Sequence, residues 1–192
     1  MKKLLAIVMV LSLLTVMFVG CSSNSNSDSV AGNSVSQSGT DSQEDSQDTG
    51  IDDEDYMKSV VDSLAESLVI SGPSELDESL AQDMVGLNMD NVDKLYGVFS
   101  MMNVKSDAII MVKAKEGAAD DVKADLEAYR AAKEESCAMY LVSEEEKAKH
   151  GQIYTKGDYV LLVIAGDSDR YANGEGADVA AEIGKQVDDL LK

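Results

Sequence analysis

An α+β fold is expected for this chain: a two-layer sandwich with a mainly antiparallel four-stranded sheet, helices packed on it, and a helix ahead of the first strand. Three observations point there. Short apolar runs come in close pairs, residues 95–102 with 108–115 and 152–155 with 159–165. Each pair is joined by a short polar stretch, the mark of a hairpin. Each pair is followed by residues whose apolar positions recur at helical spacing. Hairpins whose helices return over one face give two layers.

The elements follow in order. Residues 55–70 form a helix with Tyr56, Val60, Val61, Leu64 and Leu68 on one face, stopped by Ser71-Gly72-Pro73. A short helix is expected from Ser74 to about Met84, then a loop to Asn91. The first hairpin turns through residues 103–107, and Glu116-Gly117 ends its second strand. The helix over 118–135 carries Ala118, Val122, Leu126 and Tyr129 on one side. Met139, Tyr140 and Leu141 close that region. Ser143 and Glu146 have capping-box spacing, and Lys147 to Gly151 reads as a helix stop. Lys156-Gly157-Asp158 turns the second hairpin. The last helix, residues 177–191, would bury Ala180, Ile183, Val187, Leu190 and Leu191. The plan is ββα twice, with Asp107 to Val112 matching Asp158 to Val163 as a possible pseudo-repeat. Residues 159–165 are apolar on both faces, so that strand should be central and at least partly covered on both sides.

Residues 1–20 precede this domain as an address. Lys2 and Lys3 are followed by an apolar run from Leu4 to Val19, broken only by Ser12 and Thr15. This is the layout of a secretory signal, and the run is shorter than the roughly 20 residues that a membrane span requires. Phe18-Val19-Gly20-Cys21 resembles the bacterial lipoprotein signal, with Phe18 in place of the usual Leu. The resemblance implies a diacylglyceryl group on the Cys21 thiol and cleavage just before it. Several acyl chains, each contributing about 0.8 kcal/mol per buried CH₂, hold such a chain stably at a membrane.

Residues 21–55 form the lipidated cysteine and a tether. Ser, Asn, Gln, Asp and Gly dominate from Ser22 on, with nine acidic residues and no Lys or Arg. Such a stretch cannot bury enough apolar surface to offset the entropy of ordering, so a disordered, flexible spacer of about 30 Å is expected. Its closing acidic run, Ile51 to Asp55, is expected to be solvated and to favour the helix N-terminus that follows. Residues 56–192 are long enough for one globular domain.

The chain has 192 residues, with 36 acidic residues against 16 Lys and Arg, a net charge of -20. Loss of Lys2 and Lys3 on cleavage would leave 36 acidic and 14 basic residues, or -22. A nucleic-acid partner is excluded on that balance, and anionic lipid headgroups would repel the domain. Two cysteines give no disulfide framework; with Cys21 acylated, Cys137 is a free thiol.

Tyr96, the segment Ser106 to Lys115, Tyr129-Arg130, Met139-Tyr140-Leu141 and Lys156 to Val160 carry a further likeness. With the leader and tether, they are similar to the bacterial lipoprotein family of domain of unknown function 4358, common in Firmicutes. The likeness covers about residues 55–167 and, more weakly, the last helix. It implies no activity.

Candidate chemistry is sparse. His150 is the single histidine and could in principle serve Cys137, but no triad motif surrounds them. Gly174-Glu175-Gly176-Ala177-Asp178-Val179 opens like a dinucleotide fingerprint, lacks its third glycine, and leaves no room for another strand. Asp167-Ser168-Asp169-Arg170-Tyr171 begins like a calcium loop, but Tyr171, Ala172 and Asp178 stand where a ligand, a Gly and a Glu belong. Met101, Met102, Met111 and Met139 could line an adaptable groove, but at strand spacing they are expected as core filler. No catalytic, cofactor or metal residue is therefore assigned. The expectation is a non-enzymatic, lipid-anchored extracytoplasmic module, joined to the membrane through Cys21 and binding a protein, peptide or envelope component. The alternative is a small-ligand-binding accessory lipoprotein of a transport or envelope system. An envelope hydrolase ranks third.

Overall fold

Asp52 caps the first helix, its carboxylate accepting the Glu54 amide at 3.2 Å. It is the first residue of the part that this computed structural model describes, residues 52–192. The leader, Cys21 and the acidic stretch through Ile51 lie outside the described residues. Helix α1 (Asp53–Ser67) buries Met57, Val60, Val61 and Leu64. Its acidic start is more than a solvated run: Asp53 accepts hydrogen bonds from Lys113 and Tyr159, and Asp52 pairs with Lys94 at 2.9 Å.

The segment expected to be a short helix starts instead as a strand. Gly72, at φ 58°, turns the chain into β1 (Pro73–Glu75). A three-residue strand is too short to show an alternating pattern, and Pro is tolerated because this is a sheet edge. The helical part, α2 (Glu78–Leu80), runs on through a π-helical turn, Ala81–Val85, and stops at Gly86 with φ 82°. β2 (Val92–Ser100) and β3 (Ala108–Ala114) form the first hairpin, β4 (Gln152–Lys156) and β5 (Tyr159–Ile164) the second. The sheet has five antiparallel strands, not four, in the order β1-β2-β3-β5-β4.

The two-layer expectation also fails, because both faces of the sheet are covered. Ile110, Val112, Val160, Leu162 and Ile164 pack with Val122, Leu126 and Tyr129 of α3 (Ala119–Ala138) and with Ala148 of α4 (Val142–Lys149). Ile109, Met111, Leu161 and Val163 face the other way, onto α1, Tyr171 of α5 (Ser168–Ala172), and Val179, Ile183 and Val187 of α6 (Gly176–Leu190). The helices after the first hairpin cover one face and those after the second cover the other. The two ββα halves are therefore not equivalent in packing. The physical reason lies in β3 and β5: neither alternates apolar with polar, as a strand with one wet face would.

Covering both faces has a measurable consequence. Ile109 and Ile110 are adjacent and both fully buried. Ile109→Ala and Ile110→Ala are each expected to cost about 2–5 kcal/mol in chemical denaturation. A near-neutral result for either would mean that one face of the sheet is open.

Candidate functional site

The pairing of β3 with β5 defines two ends of the sheet: Ala108 opposite Ile164 at one, Lys113 opposite Tyr159 at the other. Four segments meet at the Ala108 end. They are the α1–β1 link, the β2–β3 loop, the first turns of α4 and the β5–α5 corner. Among the described residues, all of the buried polar and charged side chains lie here: Ser100, Ser106, Asp107, Glu144 and Lys147.

Their partners are mutual. The Lys147 ammonium donates to Asp107 Oδ1 at 2.6 Å and to Ser168 Oγ at 3.1 Å, and lies 3.3 Å from Glu144 Oε2. Asp107 Oδ2 accepts the Ser71 amide at 3.1 Å. Glu144 accepts Lys105 Nζ at 2.9 Å, Ser168 Oγ at 2.7 Å, and both the amide and hydroxyl of Ser106 at 3.1 Å. No buried side-chain polar atom among the described residues lacks a partner. Glu144 and Lys147 reach the cluster together because positions three apart share a helix face.

That inward turn explains why the expected capping box does not form. α4 begins at Val142 with Leu141 as an uncapped start, which places Ser143 inside the first turn. Glu144 is drawn into the cluster, and Glu146 pairs with Lys149 at 2.9 Å instead.

Burial works to raise the Glu144 pKa. The hydrogen bonds from Lys105 and Ser168, the Lys147 charge and the Ser106 amide outweigh it and hold the carboxyl down at about 2. A carboxyl so depressed is a fixed anion, not a general acid. The Ser168–Lys147 pair has hydrolase-like geometry, but its ammonium is already engaged by two carboxylates. The arrangement binds four segments together; it offers no free base or nucleophile.

A cleft of about 340 Å³ opens beside the cluster, lined by Val69, Ser71, Lys147, Gly166, Asp167, Ser168 and Asp169. The segment that begins like a calcium loop folds here as the start of α5. Asp167 accepts the Asp169 amide at 2.9 Å, and Arg170 turns away to Glu175 and Glu182. Among the described residues, no three His, Cys, Asp or Glu side chains are grouped to hold a metal ion.

Apolar side chains surround this polar centre and remain in solvent. Val69 lines the cleft at 67% exposure. Met102, beside Gly72, and Met101 stand on the β2–β3 loop. Met139, Tyr140, Leu141 and Val142 form the α3–α4 corner, with Met139 76% and Val142 69% exposed. Single exposed apolar residues are ordinary; here seven of the eight large exposed ones among the described residues stand at one pole. The sequence has Met139 to Leu141 closing the α3 region with apolar surface and favours the four methionines as core filler, which holds for one of them. Met111 is core, whereas Met101, Met102 and Met139 are exposed.

His150 and Cys137 are not brought together. Cys137 is buried at the end of α3, where burial pushes its thiol pKa up. His150 stands at the far end of α4, about 12 Å of helix away. Its ring lies against Tyr171 and Gly176, and its Nε2 is 3.6 Å from Glu146. A Cβ on Gly176 would meet His150 Nε2 at 2.6 Å. The second glycine of the fingerprint-like stretch thus makes room for a histidine ring.

A family model described as "Domain of unknown function (DUF4358)" matches residues 66–165. That span includes all five strands and the residues Asp107, Glu144 and Lys147. Comparison with curated proteins and with solved structures found no match.

The cluster makes stability sensitive to acid. The Glu144 pKa is lowered from an ordinary 4.5 to about 2 on folding. Its contribution is fully present above the unfolded value and is lost as pH falls through the folded one. Urea stability should therefore fall between about pH 5 and 2, and Glu144→Gln should flatten that fall. At neutral pH the same substitution should cost about 3–5 kcal/mol, because it leaves Lys147 and Lys105 short of an anion. An unchanged pH slope in the variant would show that Glu144 does not carry the effect.

Proposed function

We propose that this chain, which belongs to the DUF4358 family of domains of unknown function, is a lipid-anchored extracytoplasmic protein with a non-enzymatic interaction domain. The anchoring half rests on the residues of the leader and on Cys21 with Gly20 before it. The observation that carries the interaction half is the position of the apolar pole. The segment that follows Cys21 joins the domain at Asp52, beside Lys94, Lys113 and Tyr159. The exposed apolar side chains stand at the other end of the sheet, beyond the 15 residues of α1, or about 22 Å. A domain held through a flexible segment that joins at the opposite end leaves that pole free to meet a partner.

The small-ligand alternative rests on the cleft alone. Its volume is at the lower limit for ligand pockets, and Val69 is its single large apolar lining residue. Such pockets are ordinarily mostly apolar and bury most of their ligand, so the cleft fits part of a partner better than a whole small molecule. Among the described residues, no helix is long and apolar enough to cross a membrane.

Two measurements test the proposal. The native protein should fractionate with membranes and begin, by mass, at an acylated Cys21, while Cys21→Ala should lose both the acyl mass and stable attachment. A membrane-bound, uncleaved Cys21→Ala chain would mean that the leader is a true span. A photo-crosslinking side chain at Val142 should capture a partner on intact cells that the same group at Met84 does not. Equal labelling from both positions would remove the pole as the interaction surface.

A further inference from the structure

We infer that the apolar pole docks a protein segment presenting apolar side chains together with a lysine or arginine, whose cation enters the cleft beside Asp167 and Asp169. This rests on the interaction reading above and adds the chemistry of the partner.

The charges inside the pole cancel. Lys147 is held by Asp107 and Glu144, and Lys105 by Glu144. Arg170, the cation nearest the cleft in sequence, is taken by Glu175 and Glu182. Two lysines and two carboxylates make the cluster neutral, so Asp167 and Asp169 on the cleft wall are left without an opposing cation. Asp167 spends one oxygen on capping α5, and no described bond engages the Asp169 carboxylate. Ser71, Ser168 and the backbone at Gly166 line the same space. Val69, two-thirds exposed, forms its apolar lip. An aliphatic stem on Val69 with its charged head among carboxylates and hydroxyls is the way a lysine or arginine divides itself between oil and water.

Other occupants fit less well. A second copy would bring two acidic clefts together, and like charges facing one another across an interface are penalised. The residues from Ser22 to Asp55 carry nine acids and no base, so that segment of the chain cannot supply the cation. An anionic bilayer would be repelled by a domain with 27 acidic and 14 basic residues. A basic, amphipathic protein segment is complementary on both counts.

The test uses the full mature chain and three labelled peptides of equal length: alternating Leu and Lys, alternating Leu and Glu, and alternating Ser and Lys. Anisotropy at about 0.15 M salt keeps diffuse attraction screened. The Leu/Lys peptide should bind at least about tenfold more tightly than either control. The pair Leu141→Ser and Val142→Ser should remove most of that margin, and Asp169→Asn should weaken Leu/Lys binding several-fold while leaving Leu/Glu unchanged. These side chains are exposed, so circular dichroism should find the variants folded. Equal binding of Leu/Lys and Ser/Lys, or binding indifferent to the substitutions, would overturn the proposal as unspecific attraction.

A second arm separates this failure from failure of the interaction reading. Oxidation of Met101, Met102 and Met139, relative to Met84, is compared on intact cells and on purified protein. Protection on cells with peptide discrimination supports the proposal. Protection on cells without discrimination overturns the basic-segment chemistry and leaves the docking pole standing. No protection overturns both. Protection reproduced by concentrating the pure protein, or by adding lipid vesicles alone, assigns the pole to a second copy or to the membrane and likewise overturns the proposal.

Discussion

Once a lysine and two carboxylates are taken out of water, every proton and lone pair on them needs a partner, and that requirement fixes the Ala108 end of this molecule. Desolvating an ion costs several kcal/mol unless charge and hydrogen bonds offset it. Here the offsets come from Ser71, Lys105, Ser106 and Ser168, which belong to three different connections. The α1–β1 link, the β2–β3 loop and the β5–α5 corner are therefore all tied to one helix, α4. Loops would ordinarily be the mobile part of such a sheet protein. In this one, the loops at one end are crosslinked through a shared ionic centre.

The other end is organised by a simpler device. Asp52 and Asp53 begin α1 and reach Lys94, Lys113 and Tyr159 on three strands. Helix N-termini favour negative charge, and here the same carboxylates also tie the helix to the sheet. Between the two ends lies a sheet whose central strands contribute apolar side chains to both faces, under α3 and α4 on one side and α1 and α6 on the other. The molecule thus has a charged pole where its N-terminal segment joins and an apolar-rimmed pole opposite. The polarity of the whole follows from which connections carry ions in their interior and which carry them on their surface.

Much of the fold was legible because strong patterns are local. The two hairpins, their turn at Gly157-Asp158 and the long helices α1, α3 and α6 follow from apolar runs and helical periodicity within single segments. The double-sided burial of β5 was visible in its unbroken run from Tyr159 to Ile164; the same logic applied to Ala108 to Val112 would have called for three layers. β1 was hidden because three residues carry no period. The ionic cluster was hidden for a different reason. Glu144 and Lys147 sit among Glu145, Glu146 and Lys149 in a helix that reads as solvated all round, and only the tertiary position of Ser106-Asp107 distinguishes two of those charges from the rest. The methionines mislead in the opposite sense: at strand spacing they read as core filler, yet Met101, Met102 and Met139 are exposed.

That pairing of inside and outside bears on what the pole can do. Flexible loops bearing apolar side chains can bind, but part of the gain is lost to the entropy of ordering them, about 0.5–1.5 kcal/mol for each immobilised side chain. An ionic cluster with every atom satisfied shifts much of that ordering into folding, before any partner arrives. The chemistry of the cluster points the same way. A site built for proton transfer leaves a group near its titration point, whereas Glu144 is held far below its ordinary range and Lys147 is bound on two sides. Fully matched charges do little chemistry and much positioning. What they fix is the backbone of the loops, and it is from those loops and the start of α4 that the exposed apolar side chains project.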